Sequence, residues 1–276
     1  MTTATHAAGT TPDIRKAGFG RVVLSEWTKI RSVRSTVWSL VLLVILDLGF
    51  TALLCGLTAA QWSKTDAAAQ ATVKADPTGT ILGSGFFLSQ LTVCVLGVMV
   101  IASEYSTGMI RASLLAVPRR VSMLAAKAVV FTLLIFVLGT VVSFASFFIG
   151  QPILHDKAPV ALGDPGVLRA VVGGGLYLAM LGLFALALGA IIRHTAAGIT
   201  GVIGFVLVLA PLASLLPGSL GKHVHAYLPS EAGQLIARAH QADTDLLTPW
   251  QGYGVFAIWT AVLLVIAAVQ LRSRDA

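Results

Sequence analysis

The stretch Val167–Ile192 reads VLRAVVGGGLYLAMLGLFALALGAII and carries one charged side chain, Arg169. An α-helix of about 20 apolar residues crosses the hydrocarbon core of a bilayer, because each residue advances the helix by about 1.5 Å. Five further stretches reach or nearly reach that length: Val37–Ala60, Ile81–Ala102, Met123–Gly150, Gly198–Leu216 and Trp250–Leu271. We call the six stretches, in chain order, spans one to six. They predict an all-α polytopic membrane protein.

The composition agrees with this class. Of the 276 residues, 56% are hydrophobic and only 11% are charged, against about 25% charged in an average soluble domain. We therefore predict a single transmembrane domain over residues 18–276, preceded by a disordered cytoplasmic tail over residues 1–17. Cys55 and Cys94 fall inside spans, so a disulfide framework is not expected.

The net charge of +7 is interpreted as a topology signal. With a cytoplasmic N-terminus, six spans return the C-terminus to the same side, and 13 of the 19 Lys and Arg residues become cytoplasmic. Such an excess of Lys and Arg near span ends sets orientation in membranes. Lipid is thus the expected partner, and nucleic acid is not.

Residues 18–35 predict an amphipathic helix in the membrane interface before span one. Its apolar side carries Trp27, whereas Glu26 interrupts that side and needs a basic partner from a neighbouring loop or subunit. The simpler alternative is a cytoplasmic extension of span one. The charged members of this segment that we single out are Glu26, Lys29, Arg31 and Arg34.

The connection between spans two and three is the most informative polar segment. Ser106 or Thr107 can cap a short helix, and Pro118 ends it because proline disfavours helical geometry in the residue before it. The pattern predicts a short amphipathic cytoplasmic helix suited to contact with another protein. The residues singled out are Glu104, Tyr105, Thr107, Gly108, Ile110, Arg111, Leu114, Pro118, Arg119 and Arg120.

Motifs of catalysis are missing from the sequence. There is no phosphate-binding G-x-x-x-x-G-K-[ST] run, no H-E-x-x-H and no nucleophile elbow. His223 and His225 form an H-x-H pair. We interpret them as ordinary solvated histidines in preference to a metal site. The chain is predicted not to be an enzyme and to hold no cofactor or metal.

Three residues within the spans raise a substrate-path hypothesis. Asp47 is the one acid within a span, and such residues are functional candidates because burial in lipid is costly. A structural hydrogen bond or a cavity-lining role is favoured for Asp47 over a proton relay. Phe86 and Phe87 can line a hydrophobic path, with contact to lipid as the alternative.

Two features are predicted near the ends of spans five and six. Pro211 and Pro217 are candidates to break span five. A break there would be informative, because irregular backbone at membrane depth must be buried or line a cavity. Residues Ser230–Ala239, opened by Pro229, predict a short helix at the outer surface before span six.

These parts resemble the permease subunits of actinobacterial type-two ABC exporters. The resemblance rests on the string EWTKIRSVRS at Glu26–Ser35, and on EYSTGMIR at Glu104–Arg111 followed by Pro118, Arg119 and Arg120. The six-span layout and the helix before span six also fit, so it covers essentially the whole chain.

The resemblance implies a specific assembly. The segment Glu104–Arg120 would carry the coupling helix that docks into a separate ATPase subunit, and Glu26–Arg34 would flank that contact. Two copies of the permease would pair with two ATPases, which would bind ATP and magnesium, in the plasma membrane of a bacterium. Hydrophobic or amphipathic cargo would be exported. The open alternatives are an ion-coupled secondary carrier and a non-transporting scaffold or immunity protein.

Overall fold

The computed structural model describes residues 18–108, 120–242 and 244–273, without the side chain of Arg120, and this part of the chain is helical. Six helices are long and apolar enough to cross a membrane. They confirm the six predicted spans, most of them with longer bounds: Arg34–Ala60, Pro77–Ser106, Arg120–Leu154, Val167–Ile192, Thr195–Ser214 and Pro249–Ser273. The predicted tail over residues 1–17 lies outside the described residues.

The interfacial helix is confirmed as a separate element, Phe19–Ser32. Val33 adopts an extended conformation (φ −83°, ψ 106°), which separates this helix from span one at Arg34. The interfacial helix packs mainly against span three. Its buried residues recur at every fourth position, as one face of an α-helix requires: Val22, Glu26 and Ile30.

Spans two and four form the centre of the bundle. In their most apolar segments 61% and 67% of residues are buried, against 22–33% in the other four spans. Glycine allows this close approach, since a Cβ on Gly97 of span two would lie 2.6 Å from the carbonyl oxygen of Gly182 in span four. The outer four spans leave large apolar side chains exposed, as lipid contact requires, for example Trp38, Ile45, Leu133 and Val265.

The two ends of the bundle differ. One, which we call the basic end, carries the interfacial helix, residues 104–108, the start of span three and the turn at Arg193. The other, the long-loop end, carries residues 61–76, 155–166, 215–242 and 244–248. At the long-loop end Asp76 caps span two by accepting a hydrogen bond from Gly79 N–H at 2.9 Å, and Pro77 occupies the first turn.

Span five is irregular, although at a different position from that predicted. An α-helical segment, Thr195–Ile203, runs into a π-helical turn over Gly204–Val208 and resumes at Leu209–Ser214. Pro211 lies inside the last segment. A proline ring disfavours the helical position of the carbonyl four residues earlier, and here that residue belongs to the π turn. Pro217 lies beyond the end of the span and precedes a further helix, Gly218–Ala226.

The short helix before span six is confirmed over Pro229–Gln234, continued by a 3₁₀ turn over Leu235–Ala237. It packs against spans four and six rather than lying at the surface, and most of its residues are buried. Arg169 of span four donates hydrogen bonds to the carbonyl oxygens of Ile236 (3.4 Å) and Ala239 (3.0 Å), which satisfies the end of this segment.

Candidate functional site: a buried ion network at the basic end

Four charged side chains meet where the interfacial helix crosses spans two and three. Lys127 Nζ lies 2.6 Å from Glu26 Oε2 and 2.8 Å from Glu104 Oε1. Lys29 Nζ lies 2.8 Å from Glu26 Oε1 and 3.2 Å from Glu104 Oε1. We call these four residues the ion network. Its members come from three separate helices, so it fixes the interfacial helix against the bundle.

Local sequence places each member. Glu26 occupies the buried face of the interfacial helix, with Val22 and Ile30 one turn on either side. Lys29 is one turn later on the same helix, 30% exposed at its side chain. Glu104 belongs to the last turn of span two, and Lys127 to the early turns of span three.

Burial makes the pairing essential. Glu26 is 1% exposed, Lys127 2% and Glu104 6%, and an unpaired charge at that depth would be strongly unfavourable. Burial alone would raise the pKa of Glu26, but the charge and hydrogen bonds of Lys127 and Lys29 together lower that pKa below its ordinary value. Burial opposes the charged form of Lys29 as well, and its contacts with Glu26 and Glu104 nevertheless raise its pKa.

Near the ion network, a second set of contacts joins the end of span two to the turn between spans four and five and to the end of span six. The guanidinium of Arg193 lies over the ring of Tyr105, 5.2 Å from its centroid. Arg193 Nη2 also donates a hydrogen bond to the carbonyl oxygen of Gln270 at 3.1 Å. The residue after Glu104 is therefore linked to the turn between spans four and five and to the end of span six.

The predicted contact residues divide into two groups. Glu26, Lys29 and Glu104 meet in the ion network, and Tyr105 lies beside it. Others are exposed at the basic end: Trp27, Arg31, Arg34, Thr107 and Gly108. The predicted coupling helix lies outside the described residues, with Ile110, Arg111, Leu114, Pro118, Arg119 and the side chain of Arg120.

Lys127 is the member that sequence reasoning missed. Glu26 was expected to find a basic partner in a loop or another subunit, but the partner lies inside predicted span three of the same chain. The available signal was a lysine within an apolar span, at the same end of the bundle as two acids that had no assigned partner.

The three substrate-path candidates lie in different surroundings. Asp47 is fully buried, and its carboxylate accepts hydrogen bonds from Ser89 of span two and from Ser146 of span three, the latter at 2.6 Å. Phe86 is buried and stacks against Tyr177 with ring centroids 6.0 Å apart. Phe87 is 53% exposed on the outside of the chain. The hydrogen bonds of Asp47 join spans one, two and three, and its role stays a prediction.

Among the described residues no group of three or more His, Cys, Asp and Glu side chains could hold a metal ion. His223 instead contacts the carbonyl oxygen of Ser219 through Nδ1 (2.7 Å), and His225 lies 3.7 Å from a carboxylate oxygen of Glu231.

Comparison with protein-family models gave no match, and no curated protein matches the chain. The chain is thus a multi-pass helical membrane protein with a buried ion network at one end.

Proposed function

We propose that this chain is the membrane permease subunit of an ATP-driven ABC exporter. It would span the plasma membrane of a bacterium with both termini in the cytoplasm, pair with a second copy, and couple to two copies of a separate ATPase that binds ATP and magnesium. The cargo would be a hydrophobic or amphipathic compound. The proposal rests on the resemblance carried by Glu26–Ser35 and Glu104–Arg120.

One structural observation favours the exporter over the carrier and scaffold alternatives. The two segments that the resemblance assigns to the ATPase contact are distant in sequence, yet Glu26 and Glu104 share the same two lysines at the basic end. A force applied to the segment after Glu104 would therefore act on the interfacial helix and on span three together. Such a connection suits a subunit that converts closure of an ATPase dimer into movement of its spans.

The test is purification of the tagged chain from its native membrane in mild detergent, with mass spectrometry of the proteins that accompany it. A stoichiometric soluble subunit with a phosphate-binding loop is expected. Arg111→Asp combined with Leu114→Asp should abolish its recovery, because both changes place carboxylates in the predicted coupling helix. Lys64→Asp is the matched control, since Lys64 is exposed at the long-loop end, and it should leave recovery unchanged.

Recovery of the chain without an ATPase in several mild detergents would contradict the proposal. Transport that survives ATP depletion and stops when the proton gradient collapses would favour the ion-coupled carrier instead. Absence of any flux in reconstituted vesicles, with or without the ATPase, would favour the scaffold or immunity role.

A further inference from the structure

A cavity of about 320 Å³ lies at the basic end, between the interfacial helix, the start of span one and the last turns of span two. Part of its wall is apolar and includes Ile30, Val33, Leu96, Met99 and Val100. The remaining wall is polar and contains serine and threonine hydroxyls together with Lys29, Glu104 and Lys127 of the ion network. The cavity is thus amphipathic and large enough for a small ligand.

Glu104 gives this cavity an unmet chemical requirement. Its Oε1 atom lies within hydrogen-bonding distance of both Lys127 and Lys29. Its Oε2 atom is buried and has no hydrogen-bond partner in the part of the chain that the structure describes. A buried carboxylate oxygen without a donor is unfavourable, because it has lost water and gained nothing in return. Since Glu104 lines the cavity, a rotation of its carboxylate would bring Oε2 to a donor on a molecule inside it.

We propose that this cavity binds an amphiphile whose headgroup donates a hydrogen bond to Glu104 Oε2 and whose apolar part packs against Ile30, Leu96 and Met99. Among the described residues the two acids and two lysines of the ion network balance one another, so these four side chains do not by themselves require a charged ligand. A hydroxyl or an amine headgroup meets the requirement. A headgroup that only accepts hydrogen bonds, or an anionic one, would face the unpaired carboxylate oxygen unfavourably.

Such a molecule has two sources, a lipid of the bilayer or a dissolved amphiphile. The binding concerns the chain alone and holds whether or not an ATPase joins it, so its test is independent of the proposed function.

The test uses the full chain in nanodiscs of phosphatidylcholine, whose headgroup has no hydrogen-bond donor. The probe is a dodecylamine with a photoreactive diazirine in its alkyl chain, and mass spectrometry maps the labelled residues. Labelling is expected within the segments 30–39 and 96–107. An excess of dodecylamine or dodecanol should suppress it, whereas dodecyl sulfate and dodecyltrimethylammonium, which have no strong donor, should not.

Nanodiscs of phosphatidylethanolamine identify the source. Loss of labelling there would support the site and assign it to an amine-bearing lipid, whereas retained labelling would support the site and assign it to a dissolved amphiphile.

Two variants and one control locate the interaction. Glu104→Gln should weaken labelling about tenfold or more, because the amide oxygen must face the lysines and its NH₂ group then presents donors to the cavity. Glu26→Gln removes the same charge from the ion network, but Glu26 does not line the cavity. Its effect should stay within about threefold. Met99→Trp fills the apolar part, leaves the ion network intact and should abolish labelling even where Glu104→Gln folds poorly.

Three results would overturn the proposal. The first is no labelling, with Oε2 satisfied by an ordered water only. The second is equal competition by dodecyl sulfate, and the third is labelling that Met99→Trp leaves unchanged while the melting temperature shows that this variant is folded.

Discussion

Lys127 donates hydrogen bonds to two carboxylates that come from different helices, and its side chain is 3% exposed. Of the basic side chains that the structure describes, Lys127→Met would leave only Lys29 in contact with the buried Glu26 and Glu104. Removing one member of a buried ion pair typically destabilises a protein by about 3–5 kcal/mol. We expect a loss of that order, measured as thermal unfolding in mild detergent with a thiol-reactive dye, since the free cysteines Cys55 and Cys94 are buried in the folded chain.

Lys29→Met is the matched control for this prediction. It removes the same charge from the same two carboxylates, but from a side chain that is 30% exposed. Its cost should be about 1 kcal/mol or less, because water screens and replaces an exposed partner. Equal losses in the two variants would contradict the view that burial of Lys127 holds the network together.

The ion network also predicts a pH window for stability. The pKa of Glu26 is lowered from its ordinary value of 4.5, so its carboxylate stabilises the fold above pH 4.5 and loses that effect as the pH falls through the lower, folded value. The pKa of Lys29 is raised from 10.5, so its contribution is complete below pH 10.5 and disappears as the pH rises through the higher, folded value. The penalty of Glu26→Gln should therefore be constant between these limits.

The measurement is the difference in melting temperature between the native chain and Glu26→Gln, followed by tryptophan fluorescence across pH. The difference should shrink as the pH falls below 4.5, because Glu26 then becomes neutral in the native chain as well. A difference that shrinks instead as the pH rises from 4.5 towards neutrality would show that Glu26 has a raised pKa, contrary to its contacts with the two lysines.

At the scale of single residues, the sequence predicted that Glu26 requires a basic partner but not which residue supplies it. Glu26 in an apolar stripe must find a cation, and periodicity could show that much. Which lysine supplies it depends on how the interfacial helix crosses span three, and no local pattern contains that crossing. The partner of Asp47 was unpredictable for the same reason, since its two serine donors lie on spans two and three.

Among the helices, the packing of the segment Pro229–Ala237 depends on glycine in span four. A Cβ on Gly173 would overlap the carbonyl oxygen of Ile236 and lie 2.7 Å from its carbonyl carbon. Gly173→Ala must therefore push this segment away, and we expect a loss of about 1–3 kcal/mol in unfolding free energy. Gly83→Ala is the control: its Cβ meets open space, so the better helix propensity of alanine should leave stability unchanged or slightly higher. A neutral Gly173→Ala would mean that the segment is not held against span four.

Span five offers a prediction about backbone order. In its π turn Leu209 N–H donates to the carbonyl oxygen of Gly204, one residue further back than in an α-helix. Pro211→Ala restores a backbone donor and removes the ring that displaces an earlier carbonyl. Hydrogen exchange of the amides of residues 204–212 should slow by about tenfold, which mass spectrometry can follow. Pro217→Ala, beyond the end of the span, should leave exchange there unchanged. Faster exchange in Pro211→Ala would show that the proline stabilises the π turn rather than causing it.

The transmembrane helices could be predicted from the sequence because length and hydropathy decide whether a helix can cross a bilayer. All six spans follow from these two properties, with ends shifted by a few residues, whereas the interfacial helix follows from its amphipathic pattern. The break in span five was predicted at Pro211 and Pro217, but the irregular turn lies at Gly204–Val208, since a proline disturbs the backbone about one turn before its own position. The burial of Pro229–Ala237 was missed, because it depends on glycines in spans four and six that no local signal connects to that segment.

At the scale of the whole molecule, the most direct test is which side of the membrane the basic end faces. Six spans predict that both chain ends lie on one side of the membrane, and on that topology 13 of the 19 Lys and Arg residues are expected on the side of the basic end. Because Lys and Arg near span ends stay in the cytoplasm, Ser32→Cys should react with a membrane-impermeant maleimide only after the cells are permeabilised. Ser63→Cys, at the long-loop end, should react in intact cells.

Both positions are exposed, whereas Cys55 and Cys94 are buried and give a low background. A melting temperature equal to that of the native chain is the control that each variant is folded. The reverse pattern, with Ser32→Cys labelled in intact cells, would place the basic end outside. The segment after Glu104 would then be unable to meet a cytoplasmic ATPase, so this single measurement also bears on the proposed exporter.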